Sequence, residues 1–196
     1  SSDVCSSDLN KWAGGVLAPN GKIYCMPSDA TNVLIIDPSD DSTDTTSITG
    51  LSGTGKWTGG ALATNGKIYC IPQNSAVVGI IDPSNDTIDT TTITGLGGGA
   101  KWYGGVLAPN GKVYCAPYNV TDILVIDTND DTTSMIDVSS VNNPASAEFS
   151  GNVIANNGNI YFIPRNSTSI IILDTDSVTK PTADRKSTRL NSSHQI

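Results

Sequence analysis

Glutamate and histidine are almost missing from this 196-residue chain, and positive charge is scarce. Glu148 is the only glutamate among 19 acidic residues. Aspartate favours turns where glutamate favours helices, so the imbalance argues for β structure. Only 11 lysines and arginines offset the acids, which leaves a formal net charge of −8. That balance argues against nucleic acid and against anionic membrane surfaces as partners. No apolar run approaches the roughly 20 residues that span a bilayer. What the chain does have is abundant Thr, Ser, Asn and Gly, which suit strands and turns.

The ends read differently from the middle. SSDVCSSDL opens the chain, and DRKSTRLNSSH runs from Asp184 to His194. Asp3–Asp8 can be written GAC GTG TGC TCT TCC GAT. The reverse complement of that string, read one frame over after a leading G, encodes Asp184–Arg189. One DNA string therefore accounts for both ends in opposite orientations, as translated sequencing-library adapter would. The expectation is that 1–9 and 184–196 are non-native segments and that the fold lies in 10–183. His194, the only histidine, then falls outside the fold. No Ser/His/Asp or Cys/His arrangement and no histidine metal ligand is expected inside it.

Between the ends one phrase returns. KWAGGVLAPNGKIYC at Lys11–Cys25 becomes KWTGGALATNGKIYC at Lys56–Cys70 and KWYGGVLAPNGKVYC at Lys101–Cys115. Trp12, Trp57 and Trp102 recur at intervals of 45 residues, as do Tyr24, Tyr69 and Tyr114, and Asp37, Asp82 and Asp127. A degraded fourth copy has Phe149 in place of Trp, with Tyr161 and Asp174 displaced by two further residues. Periods near 45 belong to propeller blades. Each copy reads as four short strands, exemplified by Gly14–Ala18, Lys22–Met26, Val33–Ile36 and about Thr45–Thr49. Pro19-Asn20-Gly21 makes the first hairpin, because Asn and Gly both tolerate φ > 0. VLII is apolar on both faces, as in a sheet sandwiched between neighbours. The expected fold is an all-β propeller fragment of four-stranded antiparallel blades, three full and most of a fourth. Approximate blade limits are 11–55, 56–100, 101–147 and 148–183, in a piece of a larger ring completed by further blades.

G-K-I-Y on one strand followed by I-I-D-P on the next resembles kelch-type repeats of galactose-oxidase-like propellers. The I-D-P and I-D-T turns also resemble the repeats of surface-layer and quinoprotein-like propellers. Pro27, Pro72, Pro117 and Pro164 stand near the place of the kelch Gly-Gly, and here the Gly-Gly pairs precede strand one.

Three groups are candidates for chemistry. Cys25, Cys70 and Cys115 share one strand position, and packed sheets lie about 10 Å apart, too far for a disulfide. They are expected to be buried, reduced thiols. The turns DPSDDS, DPSNDT and DTNDDT place oxygens at alternate positions, as a calcium loop begins. They lack its sixth-position Gly and twelfth-position Glu. The expectation is an Asp-capped turn, with weak Ca²⁺ binding as the alternative and no other cofactor.

The third group is Lys11, Trp12, Lys56, Trp57, Lys101 and Trp102. A ring of these at a propeller mouth could stack a sugar or hold an anion. The competing expectation is Trp packed between blades with Lys solvated outside.

The loops after the second strand, SDATN, QNSAV, YNVTD and RNSTS, differ most between copies, where binding specificity would reside. Sequons at Asn85, Asn119 and Asn166 would accept glycans in a secreted protein, and an extracellular or cell-surface location is favoured over the cytoplasm. The leading functional expectation is a non-catalytic binding or scaffold propeller for protein or glycan. The alternatives are the structural propeller domain of an oxidase-like or hydrolytic enzyme whose catalytic residues lie elsewhere, or a cell-surface repeat protein.

Overall fold

The structure, a computed structural model, describes residues 10–140 and 148–175. The adapter-like segments 1–9 and 184–196 lie outside the described residues. The architecture is four sheets, each of consecutive antiparallel strands. Blade one holds β1 (Trp12–Leu17), β2 (Ile23–Pro27), β3 (Leu34–Asp37) and β4 (Ser42–Asp44). Blade two holds β5 (Trp57–Leu62), β6 (Ile68–Pro72), β7 (Ile80–Asp82) and β8 (Thr87–Asp89). Blade three holds β9 (Trp102–Leu107), β10 (Lys112–Pro117), β11 (Asp122–Asp127) and β12 (Thr132–Asp137). Blade four is described through β13 (Phe149–Ile154), β14 (Asn159–Pro164) and β15 (Ile171–Asp174). The chain falls into two compact units, one with blades one and two, the other with blades three and four plus Ala63–Asn65.

The repeated phrase writes this local structure directly. Gly21 N donates to Ala18 O at 3.0 Å and Ala18 N to Lys22 O at 2.8 Å, closing the β1–β2 turn. Gly21 takes φ +84°, while Asn20 keeps an ordinary negative φ. The hairpin is therefore a tight turn followed by one left-handed glycine, not the doubly left-handed turn expected. Asn20 serves the turn through its side chain instead, whose oxygen accepts from Lys22 N at 3.1 Å.

The Gly-Gly pairs make close approach possible. A Cβ on Gly14 would lie 3.2 Å from Gly59 Cα, and one on Gly104 would lie 3.3 Å from Gly151 Cα. First strands of adjacent blades thus meet backbone to backbone, in both units. Gly14 sits at φ +68° where the β1–β2 register shifts, so a larger residue would face both strain and collision.

Fourth strands are shorter than expected in blades one and two. The segment Thr45–Thr49 follows β4 rather than forming it. Asp44 Oδ1 accepts from Thr46 N at 2.6 Å and Ser47 N at 3.2 Å. Asp89 does the same for Thr91 N and Thr92 N at 2.7 and 3.3 Å. These local bonds compete with the ladder and end the strand. In blade three the strand continues to Asp137, which then captures Ser139 N at 2.8 Å.

Each unit has its own core between its two sheets. Tyr24, Met26, Val33, Ile35, Trp57, Ile68, Cys70 and Ile81 fill the first. Tyr114, Ala116, Ile123, Val125, Phe149, Ile160, Phe162 and Leu173 fill the second. Full burial of each large aliphatic side chain contributes roughly 1.5–3 kcal/mol, so these facing sheets supply the main cohesion.

Candidate functional site

The Lys-Trp pairs begin the first strand of blades one to three, and the structure shows how each is held. Every indole N–H donates to the carbonyl 20 residues ahead: Trp12 to Asn32 O at 2.9 Å, Trp57 to Val77 O at 3.1 Å and Trp102 to Asp122 O at 2.8 Å. Each Trp thereby ties its own first strand to the chain at, or two to three residues ahead of, its own third strand. Trp57 and Trp102 are 2% exposed, whereas Trp12 is half-buried.

The lysines are not solvated as the packing alternative expected. Lys56 is 4% exposed and Lys101 is 5% exposed. Lys56 Nζ donates to Ser28 O at 2.9 Å, Ala30 O at 2.8 Å and Gly53 O at 2.8 Å. Two of these carbonyls belong to the loop after β2 of the preceding blade, so Lys56 staples blade two to blade one. Asp29 strengthens the joint by accepting from Gly55 N at 2.6 Å. Burial pushes the Lys56 ammonium below the ordinary lysine pKa, against the opposing pull of Asp29. Three carbonyl oxygens match the three donors of an ammonium, which is how a buried lysine keeps its charge. Lys101 lies 5.6 Å from the centroid of the Trp102 ring, and burial lowers its pKa as well.

The tyrosines form a second staple that the residue types alone did not announce. Asn20 Nδ2 donates to Tyr24 OH at 2.9 Å and to Pro83 O of blade two at 2.8 Å. The Tyr24 hydroxyl donates to the Asp86 carboxylate. Burial, then the Asp86 hydrogen bond, pushes the Tyr24 pKa up to about 12. Within the second unit Asn65 Nδ2 donates to Thr128 O at 2.9 Å, the same contact one repeat later. Asn110 and Asn157 likewise donate to Tyr114 and Tyr161 hydroxyls at 2.9 and 3.1 Å. The signal for this staple was present in the sequence: Asn, Gly and Tyr are the residues of N-G-K-I-Y retained in all four copies.

Cys70 and Cys115 are buried and unbridged, with thiols pushed up by burial. Cys25 is also unbridged but only half-buried, contrary to expectation. It lies on the face of β2 that no described blade covers. The acidic turns are Asp-capped: Asp37, Asp82 and Asp127 accept from the backbone N of Ser39, Ser84 and Asn129 at 3.0, 2.9 and 3.1 Å. Among the described residues no group of three or more His, Cys, Asp or Glu is placed to hold a metal.

Accessible polar and aromatic side chains gather where the variable loops meet the first strands. In the first unit a cavity of about 480 Å³ is lined by Lys11, Trp12, Asp29, Ala30, Thr31, Asn32 and Thr54. The buried Asn32 Oδ1 in its wall has no hydrogen-bond partner. In the second unit the Tyr103 and Tyr118 rings pack with centroids 5.6 Å apart, tilted by 34°. The Arg165 guanidinium lies 5.5 Å from the Tyr118 ring centroid, and Arg165 Nη1 donates to Tyr118 OH at 2.7 Å. Tyr118 and Arg165 occupy the same loop position in successive blades, where Ser28 and Gln73 stand in the first two.

Taken as a class, this is a β-propeller fragment, and comparison with solved structures agrees. It is similar to a selenomethionine-substituted virginiamycin B lyase from Staphylococcus aureus, at 15% identity and a TM-score of 0.68, over 87% of this chain and 54% of that one. It is also similar to an auxiliary nutrient binding protein from Bacteroides thetaiotaomicron, at 17% identity and 0.62, over 87% and 40%. A third likeness is to hydrazine synthase of Kuenenia stuttgartiensis, at 18% identity and 0.62, over 89% and 49%. The chain spans about half the length of the first solved structures it matches. No protein-family profile and no curated protein sequence matches it. At such identities the likeness is one of fold alone, and function has to be argued from the sites.

Proposed function

We propose that this chain is a non-catalytic binding propeller whose ligand is a glycan, held on the loops that follow each second strand. One observation carries the reading: Tyr118 and Arg165 lie accessible on loops that differ between copies, and the accessible Trp12 and Tyr103 sit beside such loops, whereas the repeated Lys56, Trp57, Lys101 and Trp102 are buried. Lys56 and Trp57 are committed to internal hydrogen bonds, and Lys101 and Trp102 are buried like them. Of the six Lys-Trp positions, Trp12 is the proposed ligand contact, with Asp29 and the orphaned Asn32 Oδ1 as polar partners. Tyr103, Tyr118 and Arg165 supply a second platform. Tyr, Trp and Arg are the side chains that dominate binding energy at recognition surfaces, and flat rings suit sugar faces. The repeats are proposed to be of kelch-like or quinoprotein-like type and the location extracellular or cell-surface.

An array of neutral and acidic oligosaccharides, followed by calorimetry on hits, tests the reading. Binding is expected, and Trp12→Ala or Tyr118→Ala should weaken it about tenfold or more, a loss of ~1.4 kcal/mol. Binding of a peptide panel with no glycan bound would move the ligand to protein. Turnover of any bound sugar by the isolated chain would overturn the non-catalytic reading.

A further inference from the structure

Three departures from the repeat meet in blades three and four. Tyr103 stands where the other copies have Ala13, Thr58 and Ser150. Tyr118 and Arg165 stand where the first two copies have Ser28 and Gln73. Small or neutral side chains are thus replaced by two phenol rings and a guanidinium, and these gather on Tyr118. Its ring centroid lies 5.6 Å from that of Tyr103 and 5.5 Å from the Arg165 guanidinium, and its hydroxyl accepts from Arg165 Nη1 at 2.7 Å.

The backbone beneath them is tethered from one blade to the next. Tyr118 N donates to Lys101 O at 2.8 Å, Glu148 N to Tyr118 O at 3.0 Å and Arg165 N to Glu148 O at 2.7 Å. Tyr118 is held at both its amide and its carbonyl, and Arg165 at its amide. Side chains on such fixed backbone bind a ligand with less ordering to offset. They also face solvent: Tyr103 is 37% exposed, Arg165 is exposed and Tyr118 is half-buried.

Arg165 is the only arginine among the described residues. Although the chain has a formal net charge of −8, Arg165 has no carboxylate partner among them; the salt bridge they form is Lys112–Asp127. A guanidinium carries five N–H donors in a rigid fork. The bond from Nη1 to Tyr118 fixes the fork's orientation and leaves the donors on Nε and Nη2 facing no protein acceptor. A planar carboxylate takes two parallel N–H bonds from such a fork. The negative charge of the chain as a whole repels anions, so an anionic ligand would be recognised here by contact and not by long-range attraction.

We propose that this platform selects a sugar acid, a uronate whose ring packs on Tyr103 and Tyr118 and whose carboxylate accepts from Arg165. The inference rests on the glycan reading and narrows it at this one platform. The apolar C–H face of a pyranose suits the phenol rings, and the carboxylate at its edge suits the fork beside them. Tyr118 also acts as the positioning residue for Arg165, through its hydroxyl.

Calorimetry of the full chain with oligomers of galacturonate, glucuronate and mannuronate, each beside its methyl ester, provides the test. The ester keeps the ring and removes the charge. At least one acid is expected to bind about tenfold or more tightly than its ester. Arg165→Gln should abolish that preference and leave ester affinity unchanged, and Arg165→Lys, which keeps the charge without the fork, should restore only part of it. Tyr118→Phe keeps the ring but frees the guanidinium, so the preference should shrink while ester affinity holds. All three changes fall outside the buried core, so their urea midpoints should match the wild type. Acids and esters bound equally, or a preference that survives Arg165→Gln, overturns the inference and leaves the glycan reading standing. So does binding that Trp12→Ala abolishes and Arg165→Gln leaves untouched, or a stronger preference for sulfated sugars than for uronates. Failure to bind any glycan overturns both.

Discussion

Lys56-Trp57 and Lys11-Trp12 are the same two residues in the same phrase, and the structure puts them in different physical states. Lys56 is sealed against three carbonyls and Trp57 is buried, while Lys11 and Trp12 line an open cavity. The indole hydrogen bond is present in both, because its acceptor lies within the same blade. What differs is the covering blade, whose loop supplies two of the three lysine acceptors. The pair is thus a joint that becomes complete only when a blade precedes it, and where none is described the same side chains remain available for a ligand.

The comparison can be broken most severely at the tryptophans. Trp57→Ala should lose roughly 3–5 kcal/mol, the range for large aromatic truncations in a core. Trp12→Ala, at a half-buried site, should lose less than half as much in the same denaturant melts. Equal losses would show that the covering blade is irrelevant.

The lysines come next. Lys56→Met keeps the aliphatic stem and removes the ammonium, leaving buried carbonyls without their donor. A loss of about 2–4 kcal/mol is expected from desolvated acceptors of this kind. Lys11→Met should stay within about 0.5 kcal/mol, as at an ordinary surface site. Urea midpoints of the two variants provide the measurement, and a neutral Lys56→Met would remove the staple from the account.

Tyr24 and Tyr161 sharpen the comparison at smaller scale. Tyr24→Phe deprives Asp86 of a donor and should cost about 1–2 kcal/mol, while Tyr161→Phe at a half-buried site should cost under about 0.5 kcal/mol. The titration has a definite sign. The folded Tyr24 pKa of about 12 lies above the ordinary value of 10, so the fold favours the protonated phenol. Its contribution is complete below pH 10 and is lost as the pH climbs towards 12. Stability measured across that window should fall more steeply in the wild type than in Tyr24→Phe.

The smallest effect calibrates the rest. Lys112 pairs with Asp127 at 2.5 Å near the surface, and the pair raises the lysine pKa and lowers that of the aspartate. An exposed pair of this kind is worth at most about 0.5–1 kcal/mol, so Lys112→Ala should cost less than Lys56→Met despite the shorter contact. Raising the salt concentration should erase the Lys112 effect and leave that of Lys56 intact, because buried contacts are poorly screened.

The sequence by itself determined the blades. The 45-residue interval, the Asn-Gly turns, the Gly-Gly pairs and the Asp-capped corners are local instructions, and they act through φ preferences and hydrogen bonds spanning a few residues. They placed the first three strands of blade one to within about two residues, and failed at Thr45–Thr49 because the Asp44 carboxylate captured the next amides. Only the tertiary structure decided what each copy of a residue does. Cys25 and Cys70 read identically, yet one is half-buried and the other sealed; Lys11 and Lys56 read identically, yet one lines a cavity and the other is caged. Burial and ammonium coordination depend on carbonyls and side chains from a sheet one full repeat away. A periodic sequence repeats its local instructions in every copy, but it cannot repeat the neighbour at its open faces.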